Sequence, residues 1–380
     1  TGAHWPRRAP VTVPGFSGGG NARAPPCQRA GVERASPAPT APHPIDPIAS
    51  LGPTPRDCLG RSGRFCSVPM QSQVLVVGSY AQDLSFVTAR FPSPGETVLG
   101  TFESGPGGKG SNQAIAAHRA GADCVFVGAV GEDEAGREIR DFYRAEGLAT
   151  RLSVLTDAPT GRAGIVRDRS GQNQIVMTQG ANLRVGAHQV DADLLARARI
   201  LVCQNEIPAE TVRELFGRAR AARVTTLLNP APMGADFPAD LLGLTDILVP
   251  NETEFATLQA LQGGGAGAAA LPSDDGELQR QCRRLGPPVV LLTLGEQGVF
   301  ASTPEEFFRV AAVPGVEVRD TTGAGDAFVG AFATAFAEDP ADLAGAVRFA
   351  NRAAALSVQR VGAAGAMPSR EAIEAGGGRA

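Results

Sequence analysis

From residue 73 onward the chain repeats one alternation, and that alternation leaves few folds open. Val74-Leu-Val-Val-Gly78 is a short, unbroken apolar run that stops at glycine. Runs of the same kind are Val125-Phe-Val-Gly128, Ile200-Leu-Val-Cys203, Val224-Thr-Thr-Leu-Leu228, Ile247-Leu-Val249 and Val289-Val-Leu-Leu292. A strand that is apolar at every position is buried on both faces, the condition of a parallel sheet covered by helices. The stretches between them read as those helices, among them Ser111 to Ala120, stopped by Gly121, and Asp133 to Glu146, stopped by Gly147. The expected fold class is α/β, a doubly wound, mainly parallel sheet flanked by helices. Residues 150–180 break the rhythm. There, Ala163-Gly-Ile-Val-Arg167 and Gln174-Ile-Val-Met-Thr178 read as two strands joined by a turn, and a small hairpin set into such a domain is expected to act as a lid.

Residues 1–69 have a different character. They are crowded with Pro, Gly, Ala and Arg, carry eight Arg against Glu33, Asp46 and Asp57, and show neither helical nor strand periodicity. Such a segment does not bury enough apolar surface to fold. It is expected to be a disordered or non-native extension, with Met70, just before the first strand, opening a folded domain over 70–380. An Arg-rich, acid-poor leader also matches a transit peptide. The glycine-rich run beginning at Gly263 reads as a surface loop.

Composition removes several function classes. A net charge of −4, a pI near 5.7, two Tyr and one Trp argue against a nucleic-acid partner. No apolar run approaches the length of a transmembrane helix, so no membrane role is expected. The six cysteines form no CxxC, and Cys124, Cys203 and Cys282 lie in or beside apolar stretches. Buried free thiols in a reducing, cytoplasmic setting are expected. The four histidines have no paired arrangement, so no tightly held transition metal is expected.

Two glycine-rich loops carry the chemistry. The first is Asp320-Thr-Thr-Gly-Ala-Gly-Asp326, followed by a helix marked by Phe328, Phe332 and Phe336 and ending before Pro340. Small residues at Gly323, Ala324 and Gly325 allow a tight turn whose amides, at a helix N-terminus, suit an anionic oxygen. A carboxylate at Asp326 is odd for phosphate binding alone. It makes sense as a base that takes a proton from a hydroxyl while the amides stabilise a transferring phosphoryl group. Capping of the helix by Asp326 is the plainer alternative and stays open at this point.

The second loop, Gly105-Pro-Gly-Gly-Lys109-Gly-Ser-Asn112, also opens a helix. It matches G-x-G-x-x-G, but about 26 residues separate it from the first strand, where a dinucleotide fingerprint must follow directly. A Walker A loop fails too, because Gly follows Lys109. What remains is a backbone able to approach a polar ligand closely, with Lys109 and Asn112 offering hydrogen bonds. Lys109 is the only lysine among 35 basic residues. In a chain otherwise built with Arg, that marks a place for a compact ammonium rather than a planar guanidinium.

Together the two loops resemble the PfkB carbohydrate kinases. Asp83, Cys203-Gln-Asn-Glu206, Asn229-Pro-Ala-Pro232, Pro250-Asn-Glu-Thr-Glu254 and Thr293-Leu-Gly-Glu-Gln-Gly298 follow the family's pattern in order, over about Val74 to Pro368. The resemblance implies a small β-sheet lid, with strands around 83–105 and 158–180, and ATP-dependent phosphorylation of a sugar. It implies substrate contacts from Asp83, Gly107, Gly108, Lys109, Asn112 and Glu206, with Asp326 as base and Gly323, Ala324 and Gly325 as anion hole. Asn251, Thr293, Leu294, Gly295, Gly298, Gly325 and Asn351 would border ATP, and Asn251 and Glu254 would hold Mg²⁺ and its waters. A K⁺ activator would sit on Asp320, Thr322, Val358, Val361 and Gly362, although Ala366 stands where the family often has a Ser ligand. The Lys109–Asn112 wording points to D-ribose, phosphorylated at O5, and a homodimer through the lid sheet is expected. Other acceptors (2-deoxyribose, fructose, adenosine) and a catalytically silent sugar-binding protein are the alternatives. Singly, Asp83 could be a turn residue, Glu206 a surface carboxylate and Glu254 a helix N-terminal charge.

Overall fold

The computed structural model describes residues 73–169, 172–234, 236–263 and 271–376. The expectations for residues 1–69 and for the loop at 264–270 fall outside the described residues.

β1 (Gln73–Val77) lies inside the large sheet. The chain leaves it for β2 (Ala81–Thr88) and β3 (Gly100–Gly107), then returns through α1 (Lys109–Arg119) to β4 (Asp123–Gly131). α2 (Glu134–Glu146) leads to β5 (Ala149–Leu155), and β6 (Arg162–Arg167) and β7 (Asn173–Thr178) leave the large sheet again. α3 (Ala192–Arg197), β8 (Ala198–Gln204), α4 (Ala209–Ala221), β9 (Thr225–Asn229) and β10 (Ile247–Leu248) build its other half. α5 (Glu252–Leu261), α6 (Asp275–Arg284) and β11 (Val289–Thr293) follow, with an edge formed by β12 (Val299–Ser302) and β13 (Phe307–Val310). The last helices are α7 (Ala324–Glu338), α8 (Leu343–Ser357) and α9 (Arg370–Ala375).

Among the described residues the large sheet has the order β13-β12-β11-β10-β9-β8-β1-β4-β5, parallel from β11 to β5 and antiparallel at the β12–β13 edge. This is the expected doubly wound α/β class. Alternate residues of β1 serve opposite faces, as strand geometry requires. Val74 and Val76 join a core with Ile115, Phe332 and Val347, and Leu75 and Val77 join one with Leu215, Phe255 and Leu278. The apolar run at Val125 cut its strand short. Ala129-Val-Gly131 pairs with β5 as well.

The small sheet has the order β3-β2-β6-β7. β2 pairs antiparallel with β3 and β6 with β7, but β2 and β6, far apart in sequence, pair parallel. Register puts Asp83, Ser85 and Val87 on the same face as Ala163, Ile165 and Arg167.

α1 and α7 cross at Gly330, and that crossing sets the distance between the two glycine-rich loops. A Cβ on Gly330 would lie 2.5 Å from both Ala116 Cβ and the Gln113 carbonyl oxygen. In a free helix Gly→Ala is stabilising by about 1 kcal/mol. Here the sign reverses, because both neighbours are buried and one is backbone. Gly330→Ala is expected to destabilise the fold by about 1–3 kcal/mol in urea titrations, and a stabilised variant would show that the helices are not in contact there.

Candidate active site

The connection out of β1 runs to β4 on one side, and that out of β8 runs to β9 on the other. Adjacent strands whose connections diverge leave a crevice at their carboxyl ends, and this is where ligands bind in open α/β sheets. The residues after β1 and β8 meet there. Glu206, buried, accepts a hydrogen bond from Ser79 Oγ and one from the Lys109 backbone N–H at 3.0 Å. Glu206 is therefore not a surface carboxylate.

Asp326 sits at the start of α7, 6% exposed. Its two oxygens accept from α1: Asn112 Nδ2 at 3.0 Å and Gln113 Nε2 at 2.9 Å. Gln113 Nε2 also donates to Asn229 Oδ1 at 3.0 Å, and Gln113 Oε1 accepts from Gln204 Nε2 at 2.6 Å. Asp326 does not cap its helix: the N-cap is Gly323, at φ +77°, with no side-chain cap. α2, α3, α5, α6, α8 and α9 all have a side-chain cap. At α7 the Ala324 N–H folds back to the Thr321 carbonyl and the Ala327 N–H takes Gly323. The amides of Gly325 and Asp326 are left for an outside acceptor.

A cavity of about 200 Å³ opens over this point, lined by Lys109, Asn251, Glu254, Thr293, Gly325 and Asp326 among others. Asn251 and Glu254 form a reciprocal cap: Asn251 Oδ1 accepts from the Glu254 N–H at 2.8 Å, and Glu254 Oε2 from the Asn251 N–H at 2.9 Å. Glu254 is thus a helix N-terminal charge and a cavity residue together. Among the described residues no cluster of three or more His, Cys, Asp or Glu could hold a metal ion. A carboxylate beside an amide oxygen in a cavity suits Mg²⁺, which keeps its waters and leans on substrate phosphates.

Four acids converge here with one ammonium. Asp83, in the middle of β2 rather than in a turn, is pushed up to about 7 by burial, then by the charges of Glu206 and Asp326. Burial also raises Glu206 and Glu254, against the opposing pull of the Lys109 charge. For Lys109, burial alone would lower the ammonium, but the charges of Asp326, Glu206 and Glu254 outweigh it and raise it. Asn112 Oδ1 is buried without a hydrogen-bond partner. An orphaned acceptor among these groups marks a place for a ligand hydroxyl.

Other predicted residues stand apart from the cavity. Leu294 is 2% exposed and belongs to the core, so only its backbone remains to face a nucleotide. Its N–H bonds the Gly298 carbonyl at 2.8 Å, closing the 294–298 turn around Gly295. Asn351, on α8, donates to the Ala311 carbonyl at 2.7 Å. Gly107 and Gly108 join β3 to α1, and a Cβ on Gly107 would strike the Asp83 carboxylate.

The set assigned to K⁺ carries other bonds. Asp320 Oδ1 accepts from the Thr322 N–H at 3.0 Å, and Oδ2 accepts from the Gly362 N–H at 3.0 Å and Arg167 Nη1 at 2.6 Å. The Val358 carbonyl accepts from the N–H groups of Arg319 and Asp320, and Val361 is exposed. Burial would raise Asp320, but the Gly362 and Thr322 bonds and the Arg167 charge hold it below the usual carboxylate range.

Sequence reasoning passed over Ser79, Gln113, Gln204, Asn229 and Arg167. Gln204 and Asn229 lie inside motifs already quoted, at the ends of apolar strands, which was the available signal, and Gln113 directly follows Asn112 on α1. Arg167 had none.

The model of the pfkB family carbohydrate kinases matches residues 71–370. The chain is 38% identical over 306 residues to the ribokinase of Bacillus subtilis, covering 79% of this chain and 98% of that protein. It is 36% identical over 309 residues to a bifunctional ribokinase/ribose-5-phosphate isomerase A of Fructilactobacillus sanfranciscensis, covering 79% of this chain and 55% of that protein. The structure of Arabidopsis thaliana ribokinase complexed with ribose and ATP superposes with a TM-score of 0.72 at 31% identity, covering 82% of this chain and 99% of that one.

Asp83 gives a pH-dependent stability test. Its carboxyl rises from an ordinary 3.8 to about 7 on folding, so its favourable contribution is full below 3.8 and is lost as pH climbs through 7. Asp83→Asn removes the cost of a buried charge beside Glu206 and Asp326 and is expected to raise Tm at pH 8 by about 2–4 °C, with the gain vanishing near pH 4 by calorimetry. An equal effect at both pH values would rule out ionisation of the buried Asp83 carboxyl as its cause.

Proposed function

The chain belongs to the pfkB family of carbohydrate kinases, and we infer that it transfers the terminal phosphoryl group of ATP to D-ribose, giving ADP and ribose 5-phosphate. One observation carries the mechanism: Asp326 is held by two α1 amides beside the uncapped N–H groups of α7. Anion binding alone would not put a carboxylate there. A base next to an anion hole needs both.

Asp326 takes the proton of the sugar's 5-hydroxyl as that oxygen attacks in line. Asn112 and Gln113 fix both carboxylate oxygens, so the base loses no freedom in the step. Within the Gly323-Ala324-Gly325 anion hole, the Ala324 N–H is held by the Thr321 carbonyl, and the free amides of Gly325 and Asp326 stabilise charge on the transferring oxygens. Asp83, Gly107, Gly108, Lys109, Asn112 and Glu206 hold the other hydroxyls, with Asn112 Oδ1 as the free acceptor. Thr293, the backbone of Leu294, Gly295, Gly298 and Asn351 border the nucleotide. Asn251 and Glu254 would hold the waters of Mg²⁺, which supplies charge neutralisation on the phosphates when it is bound. The small sheet closes over the sugar and excludes water, the competing acceptor. K⁺ is the one implied group that the donor set does not fit, because Asp320 already faces a guanidinium.

Asp326→Asn is expected to lower kcat about 10²–10⁴-fold with little change in KM for ribose, measured as ADP release with ribose, 2-deoxyribose, fructose, adenosine or no sugar. Turnover that survives in Asp326→Asn would remove Asp326 as base, and a preference for another acceptor would replace ribose.

We place this kinase in the cytoplasm, where Cys124, Cys203 and Cys282 stay buried free thiols. Among the described residues no helix is long and apolar enough to cross a membrane. The outer face of the small sheet exposes Phe86, Phe102 and Val176, the two rings 5.2 Å apart, and we assign it to a homodimer contact. Phe102→Glu is expected to halve the sedimenting mass, and an unchanged mass would move the contact elsewhere.

A further inference from the structure

Asp320 poses a problem of charge compensation. Its side chain is 6% exposed, yet it is ionised, holding the Thr322 and Gly362 amides. The first bond shapes the turn that delivers Gly323 and the free amides beside Asp326. The second ties that turn to the loop after α8. A buried carboxylate in such a role requires a cation.

The chain supplies one from 153 residues away. Arg167, the last residue of β6, reaches Asp320 Oδ2 with Nη1 at 2.6 Å, and its Nη2 lies 3.5 Å from Glu103 Oε2 on β3. Arg167 is itself only 18% exposed. Register places it on the face of the small sheet that carries Asp83. Oxygens for a free ion are correspondingly short. Val358 O already accepts two N–H groups, and Ala366 has no side-chain oxygen. We propose that Arg167 is the resident cation of the anion-hole loop, a positioning residue that takes the place of a free monovalent ion at Asp320. A guanidinium stays charged at every working pH and is not diluted away, so the loop keeps its shape whatever the ionic composition. The same contact makes assembly of the anion hole depend on the sheet that carries Asp83.

The rate part of the test rests on the kinase reading above, and the melting part does not. The full chain, Arg167→Ala and Arg167→Lys are compared in tetramethylammonium chloride, LiCl and KCl at equal ionic strength, by melting temperature and by ADP formation with ribose and Mg-ATP. The unmutated chain should give the same Tm and kcat in all three salts. Arg167→Ala should lose about tenfold or more in kcat and recover most of it in KCl but not LiCl, with Tm raised by K⁺ in parallel. Arg167→Lys should keep most of the rate without K⁺. An unmutated chain whose Tm rises specifically with K⁺ overturns the proposal, since an ion then binds beside Arg167. A folded Arg167→Ala indifferent to K⁺ overturns it as well, leaving Arg167 a mere tether. If Arg167→Ala does not fold, the salt response of the unmutated chain and the rate of Arg167→Lys decide. Absence of turnover with ribose in every salt would fail the kinase reading alone and leave the melting comparison standing.

Discussion

Two side-chain amides on α1 donate to the two oxygens of Asp326, and much of the molecule is arranged so that they reach. Asp326 is at the head of α7, so α1 and α7 must cross closely, which Gly330 permits. α1 must also begin at the mouth of β1, where the Lys109 and Gly110 amides find Glu206 and Ser79. Gln113 is then steadied by Gln204 and Asn229, from the ends of β8 and β9. The sheet thus sets the distance between two helix starts. One of those starts spends its amides inside the protein, and the other keeps them free.

Electrostatics explain why the site is not a comfortable place for its own residues. Asp83, Glu206, Glu254 and Asp326 are gathered with only Lys109 among them, and burial works against the charges of Asp83, Glu206, Glu254 and Lys109. Apolar side chains of similar volume would make a more stable core. The cost makes sense if hydroxyl groups and a hydrated cation complete the cluster. A guanidinium at position 109 would be planar and bulkier than a compact ammonium, which fits the survival of one lysine in a chain that uses arginine elsewhere.

Much of this was legible before any coordinates. Apolar runs such as Val74–Gly78 and Ile200–Cys203 announced the parallel sheet, because a strand buried on both faces has no other signature. The loops at 105–112 and 320–326 announced residues that line one cavity, because glycine beside a charged residue at a helix start has few structural uses. The rest depended on contacts that sequence distance hides. Parallel pairing of β2 with β6 joins segments about 80 residues apart, and nothing local marks it. Gln113 and Asn229 read as ordinary amides until the fold brings them together. Whether Asp326 caps α7 or faces α1 is a matter of a few ångströms, which composition and spacing do not encode. Arg167 looked like the end of a hairpin strand and proved to be a partner of Asp320, in the loop before α7.

Lys109 has one more consequence. Its ammonium is enclosed among acids, and the other 34 of the 35 lysine and arginine positions are arginine. The rest of this sequence therefore offers acylating reagents and lysine-modifying enzymes no lysine. Any chemistry that seeks an ε-amino group is directed to a single enclosed position, where a bound sugar or nucleotide would stand in its way. Labelling yield at that one atom becomes an occupancy gauge for the cavity, independent of whether phosphoryl transfer takes place.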